Sequence, residues 1–307
     1  MVPAISPPHR STVSNAVRNI IAMVIPPYYH QMLGAVLVNP DSREIFPLAP
    51  EPILKQDGAC KNDCERNAAK RLLADVRREH PHMKFIVIED GLASNAPHIR
   101  QLQALDFRFI LGAKVSDHRF LFDWVDNTAT TAEYELTDDQ DVKHRFRYLN
   151  QAPLNDANFE LEVNFLEYWE TRPNGKTLHF SWVTDIPIKQ DNRMPLMRAA
   201  RARWKIENET FNTLKNQGYH FEHNFGHGYQ HLATVMAYLM LLAFLIDQIQ
   251  QHSCKLFNRA QAEAKSKIRF WQQLRGLFQH YLIPDWEALY RGIADGLKPT
   301  VIPYNTS

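Results

Sequence analysis

The chain has 307 residues, enough for one large folded body or two modest ones. Its composition is ordinary for a globular protein, 45% hydrophobic and 22% charged, and a formal net charge of +1 excludes a wholesale polycation. Three cysteines (Cys60, Cys64, Cys254) exclude a disulfide framework and fit a reducing cytoplasm, and no second Cys/His pair completes a zinc site around Cys60 and Cys64.

Residues 1–27 form an atypical lead, rich in proline, that is expected to be disordered. It contains no Asp or Glu, and the first carboxylate side chain of the chain is Asp41. Ile20 to Ile25 is too short an apolar run, and too poorly flanked, for a secretory signal. Gln31–Val38 and Arg43–Leu48 read as hairpin strands around an Asn39-Pro40-Asp41-Ser42 turn. Asn62 or Asp63 caps a helix running to about His80. Phe85-Ile86-Val87-Ile88 is a continuous apolar run, the pattern of a strand covered on both faces, and it ends at Glu89-Asp90-Gly91. A helix from about Pro97 and a strand over Phe107–Val115 follow, giving an α/β layout led by a hairpin.

Charge is segregated. Between 117 and 170 thirteen acids face four bases, and strand-like pieces at Ala132–Leu136, His144–Leu149 and Glu160–Trp169 suggest an inserted β subdomain over 117–176. Thr177–Asp185 returns to the core. From 189 to 215 seven bases face three acids, a basic helix that suits a phosphate backbone. A loop rich in His and aromatics spans Gly218 to Gly228. Helices are expected at about 229–252, 257–280 and 285–296. The apolar run Leu232 to Ile246 falls short of a bilayer span and reads as a buried core helix, so no membrane partner is expected. The expected divisions are the lead 1–27, a first core part 28–116, the acidic insertion 117–176, a second core part 177–250, and C-terminal helices 251–307.

At 3.6 residues per turn Leu196, Ala200, Arg203/Trp204, Glu207, Phe211 and Leu214 share one face, which sets Glu207 inside an apolar stripe. A carboxylate there needs a cation, a metal or a hydrogen-bond network. Arg203, one turn earlier, is one candidate; a divalent ion is another. Asp90 lies directly after a strand and before a glycine, where α/β sheets place their sites. Two such carboxylates are the hard oxygen ligands that Mg²⁺ takes, and two ions would serve in-line phosphoryl transfer. The plain alternatives are Asp90 as a helix cap and Glu207 as a structural partner of Arg203. A further reading is an unrelated metal-dependent nuclease that joins Asp57 or Asp63 to Asp90. His223, His227 and His231 stand four apart, but Gly226 and Gly228 interrupt the helix that would align them. Tyr219, Phe221, Phe225 and Tyr229 suit packing at a helix entry better than base stacking.

Trp204-Lys205-Ile206-Glu207, with Phe211, Leu214 and Lys215, resembles the third-acid helix of DDE transposases related to insertion sequence 4. Arg203 and Glu207 match the Arg-x3-Glu part of the signature Tyr-x2-Arg-x3-Glu-x6-Lys. Its Tyr position is Ala200 here, and seven residues rather than six separate Glu207 from Lys215. Ile86–Gly91 resembles the strand of the second acid, Phe180–Asp185 the strand before the last catalytic helix, and Asn216–Gly228 a sub-group of the same transposases. The similarity spans roughly 28–250. It implies a ribonuclease H-like mixed sheet with helices, a β-rich insertion and a C-terminal helical tail. It also implies Mg²⁺ or Mn²⁺ in a two-ion site on Asp90 and Glu207, with Arg203, Lys215, Arg201 and Lys205 positioning phosphate. The expected partners are double-stranded DNA at transposon ends and a second copy of the chain, and the expected location is the nucleoid-associated cytoplasm. The first acid belongs on the opening strand, ahead of the hairpin, where this chain has no carboxylate. The expectation is therefore a transposase lacking its N-terminal part, catalytically impaired, its lead read from another frame. The alternative is a non-catalytic DNA-binding or subunit-exchanging fragment that interferes with a full-length relative.

Overall fold

The computed structural model describes residues 31–54, 57, 61–223, 225–226, 230–296 and 302–303. The lead 1–27, Cys60, His227, Gly228 and Tyr229 lie outside them. The chain is mixed α/β and forms two compact units: one of 38–43 with 54–205, the other of 31–37, 44–53 and the residues after 205.

The unit built mainly from 54–205 holds a six-stranded mixed sheet, ordered β5-β6-β10-β9-β8-β7. After α1 (Lys61–Glu79), β5 (Ile86–Glu89) runs parallel to β6 (Arg108–Gly112), and the crossover between them is α2 (Ala96–Ala104). Asn95 starts α2 by accepting the His98 N–H, and Pro97 follows in the first turn, where its missing N–H costs nothing. The other pairings, through β10 (Thr177–Thr184), β9 (Asn158–Thr171), β8 (Lys143–Asn155) and β7 (Ala132–Thr137), are antiparallel. The strands of the acidic segment thus extend the same sheet. Two of their acids are buried and paired: Arg147 of the neighbouring strand donates to Glu167, whose other oxygen lies 2.7 Å from His179 Nε2, while Arg172, two residues on, and Arg201 of the helix after β10 hold Glu170.

Alternation along β8–β10 puts Phe146, Leu166, Tyr168 and Trp182 on one face. There Leu196, Met197 and Ala200 of α4 (Arg193–Arg201) cover them. The opposite face receives α3 (Arg119–Asn127), whose Phe122 meets Phe165 edge-on at 5.0 Å. This helix interrupts a segment that reads as β in sequence. Its apolar residues, Leu121, Phe122 and Val125, fit a single buried helical stripe. β5 is not covered on both faces as its apolar run suggests: it is the end strand of the sheet and Ile86 is exposed.

In the other unit the leading hairpin divides. β1 (Gln31–Leu33) pairs with β4 (Glu51–Ile53), and β2 (Val36–Val38) with β3 (Ile45–Pro47). The break falls at Gly34, where a Cβ would stand 2.9 Å from the Phe211 ring, so the chain passes there only without a side chain. After α5 (Asn212–Asn216) comes α6 (Leu232–Ser253), then α7 (Lys255–Glu263), α8 (Lys267–His280) and α9 (Trp286–Ala294). The single helix expected over 257–280 is two, because Lys265 turns left-handed (φ 62°) and Ser266 caps a new start. Phe257, Phe270, Leu274, Leu289 and Tyr290 form the core of this helical end, and β11 (Tyr281–Leu282) pairs with β12 (Ile302–Pro303).

α6 corrects a sequence expectation. It runs 22 residues, and among the described residues it is the one helix long and apolar enough to cross a bilayer by length and composition, a property that core helices share. Yet it is not buried all round. Ala237, Leu241, Phe244 and Gln248 face the interior, while the opposite side, with Leu239 and Leu242, lies open. Composition alone identifies an apolar helix; only the packing tells which of its faces is occupied.

Candidate functional site

Asp90 follows β5 at the carboxyl end of the parallel pair, in the sheet-bearing unit. Its Oδ1 accepts the Leu92 N–H at 3.0 Å and its carbonyl accepts the Ala93 N–H at 3.2 Å, which fixes a tight turn. Helix α2 is capped by Asn95, so the reading of Asp90 as a helix cap is corrected. Asp90 Oδ2 accepts no hydrogen bond among the described residues, and the buried Ser94 Oγ of the same turn has no partner. The turn is pressed against β6. A Cβ at Gly112 would lie 3.1 Å from the Gly91 nitrogen and 3.3 Å from the Asp90 carbonyl carbon. A glycine at 112 therefore sets how closely Asp90 approaches the strand. The neighbouring Glu89 is committed elsewhere, its Oε2 2.6 Å from Nε2 of the buried His98.

Asp57 is a structural acid. Arg71 donates to both of its oxygens, at 2.6 and 3.0 Å, and the Leu54 N–H donates at 2.7 Å. The Arg71 hydrogen bond, which outweighs the opposing effect of burial, holds its carboxyl below the ordinary range. That commitment removes Asp57 from the nuclease reading that joins it to Asp90; the Asp63 side chain lies outside the described residues.

Glu207 belongs to the other unit, and its setting differs from the expected one. The helix does not run through: α4 ends at Arg201, and Ile206–Phe211 is a π-helix before α5. Each π turn takes more residues than an α turn, so the 3.6 periodicity slips across it. Leu196, Ala200, Phe211 and Leu214 are buried as expected, whereas Trp204 and Glu207 are exposed. Glu207 is thus at the surface, not inside an apolar stripe.

The basic residues expected to position phosphate are placed as follows. Lys205 is buried and its Nζ donates to the carbonyls of Asn39 (2.5 Å), Pro40 (3.1 Å) and Ser42, tying down the 39–42 turn. Arg201 donates to Glu170 and lies 5.1 Å over the Phe180 ring. Lys215 pairs with Glu222 at 2.8 Å. Arg203 is half-buried. Of the three histidines four apart, His223 packs edge-on against Phe225 and His231 takes a left-handed φ of 57° before α6. Among the described residues no group of three or more His, Cys, Asp or Glu is arranged to hold a metal.

Two polar clusters escape the sequence reading. One links Asp138, His144, Tyr168 and Glu170: His144 Nδ1 lies 2.6 Å from the Tyr168 hydroxyl and Nε2 lies 3.1 Å from Asp138 Oδ2. Asp138, His144 and Glu170 line a cleft of about 530 Å³ with Arg172 and Asn174. Burial pushes the Tyr168 phenol up. The same burial acts to raise Glu170, but hydrogen bonds from Arg172 and Arg201 outweigh it and leave the carboxyl low. Its signal was the strand register, which sets His144 opposite Glu170. The second cluster joins Tyr219 of the aromatic loop to Asp247 of α6, with the Tyr219 ring edge-on to Phe244 and Trp271. Tyr219 and the buried Phe221 thus pack inward, as their spacing suggested. The signal available for this cluster was that Asp247 is the one Asp, Glu, Lys or Arg of a long apolar helix.

No family model and no characterised protein matches the chain.

Proposed function

We propose that this is a transposase-type protein with a ribonuclease H-like core, which cuts and joins duplex DNA at transposon ends with a divalent cation, and that its activity is impaired. The observation that carries the reading is the place of Asp90. It ends a strand that lies in a parallel pair at the border of the sheet, with no strand on its other side among the described residues. In the core that the resemblance implies, the strand of the first acid would stand there, and no carboxylate precedes Asp41 to furnish that acid. A second support comes from the π-helix at Glu207. The extra residue between Glu207 and Lys215, relative to the signature, is what a π turn absorbs, so the pair keeps about the angular relation that six intervening residues give on an α-helix.

Asp90 offers an uncommitted hard oxygen and Glu207 an exposed carboxylate, the ligand type that Mg²⁺ and Mn²⁺ take alongside water. When bound, the ion supplies Lewis-acid stabilisation of phosphoryl oxygens and a more acidic water. The chain's own part is to hold Asp90 rigidly through the Leu92 N–H and the Gly91–Gly112 approach, and to leave Glu207 in reach of solvent.

The test is Mn²⁺-dependent nicking of supercoiled plasmid and of labelled duplex by the whole chain. Slow nicking is expected, reduced at least about tenfold in Asp90→Asn and in Glu207→Gln, with melting unchanged. Nicking that neither variant alters refutes the assignment. Salt-sensitive binding with no nicking favours the non-catalytic DNA-binding fragment instead.

A further inference from the structure

The large apolar residues left exposed on α6 are Leu232, Val235, Leu239, Leu242, Ile246 and Ile249, between 37% and 53% exposed. Their spacings are 3, 4, 3, 4 and 3, which is the a/d heptad repeat sustained for the length of the helix. The buried residues Ala237, Leu241, Phe244 and Gln248 occupy the other side, so the helix is secured to its own unit and this seam is additional to that packing. Tyr238 strengthens the anchorage through its hydroxyl bond to the Pro50 carbonyl at 2.6 Å, and His252 through its edge contact with Phe46.

We propose that this seam is a homodimer interface, in which α6 of one chain packs along α6 of a second copy as a short coiled coil. Three observations select that occupant. The alternating 3 and 4 spacing keeps a narrow apolar stripe on one side of the helix, the surface that another helix of the same spacing matches along its length. A second copy supplies that spacing without any further requirement. The positions flanking the seam are Met236, Ala243 and Gln250 on one side and Tyr238, Leu245 and His252 on the other, with no Asp, Glu, Lys or Arg to repel an identical helix. The six side chains expose roughly 500 Å² per copy, so full pairing removes at most about 1,000 Å² from water, the lower bound for a specific interface, to which the flanking residues add. The only charge on the helix, Asp247, lies off the seam and is bonded to Tyr219.

The experiment is sedimentation equilibrium of the full chain, wild type and two variants, Leu239→Lys/Ile246→Lys and Leu239→Glu/Ile246→Glu. These positions are solvent-exposed, so both variants are expected to keep the wild-type circular dichroism and melting of the single chain. Wild type is expected to be dimeric at micromolar concentration, each variant to self-associate at least about 100-fold more weakly, and an equal mixture of the two to form a heterodimer. That last recovery holds for parallel or antiparallel helices and is not expected if the substitutions merely damage the fold. A wild-type monomer at about 100 µM, a dimer of unchanged affinity in the lysine variant, or flotation of the wild type with phosphatidylcholine vesicles in place of dimerisation would overturn the proposal.

Discussion

Replacing Asp247 by Asn tests whether α6 carries a genuinely desolvated acid. Burial pushes the Asp247 carboxyl up to about 7 from an ordinary 3.8; the Tyr219 hydrogen bond and the Lys267 ammonium pull the other way without cancelling it. A carboxyl whose folded-state pKa is raised binds its proton more tightly when folded, so its contribution to stability is present below about pH 4. It is lost progressively as the pH climbs to about 7. That interval corresponds to about 4 kcal/mol at most, and residual hydration brings the expectation to about 2–3 kcal/mol. Asn keeps the shape and still accepts from Tyr219, but cannot ionise. Urea unfolding of both proteins from pH 4.5 to 8.5 is therefore expected to give nearly equal stabilities at the acid end, with the Asn variant about 2–3 kcal/mol more stable above pH 7.5. Differencing the two curves removes the pH dependence of every other group. A difference that stays flat across the range refutes the argument.

Lys205→Met leaves the Asn39, Pro40 and Ser42 carbonyls without their shared donor and is expected to cost about 2–3 kcal/mol, seen in urea midpoints and in faster amide exchange across residues 38–43. Gly34→Ala drives a methyl into the Phe211 ring and is expected to cost about 1–3 kcal/mol. Adding Phe211→Leu should recover part of it, and strictly additive costs in the double-mutant cycle would contradict the contact. Asp57→Ala strands Arg71, which is partly open to water, so about 2 kcal/mol is expected at neutral pH. Because Arg71 holds that carboxyl low, the wild-type advantage should be complete above about pH 4 and fade as the pH falls through the lowered pKa; an advantage persisting unchanged at pH 2 is the contrary result.

The strands were the most legible part of this sequence, since alternation is a local signal. Ala132–Leu136, His144–Leu149 and Glu160–Trp169 mark out β7, β8 and β9, although local pattern says nothing of the shared sheet into which they fold. Helix α3 was hidden because its three core residues sit among acids and occupy barely two turns. Asp90 was placed at a strand end by the apolar run before it, but its uncommitted oxygen depends on the geometry of the following turn. Glu207 was misplaced for a simple geometric reason. A helical wheel assumes one rise and one twist throughout, whereas α4 ends at Arg201 and a π segment begins at Ile206, so Trp204 and Glu207 beside these breaks leave the expected face while Phe211 and Leu214 return to it. Asp57 and Lys205 show a second limit: charge type was readable, while the partner, an arginine 14 residues away or carbonyls more than 160 residues away, was not.

The way the backbone threads between the two units constrains the order of assembly. The strands of 31–37 and 44–53 emerge early, yet β3 packs on α6, and Tyr238 and His252 that hold this contact are synthesised some 190 residues later. Bringing such distant ends together costs on the order of 4–5 kcal/mol of chain entropy if the intervening stretch is loose. The sheet-bearing unit occupies nearly all of that stretch, so its prior collapse would turn a long floppy tether into a short one. A ribosome-bound chain arrested once residue 205 has cleared the ribosome, and before α6 has, should accordingly carry a protease-resistant sheet while its first strands are still cut freely.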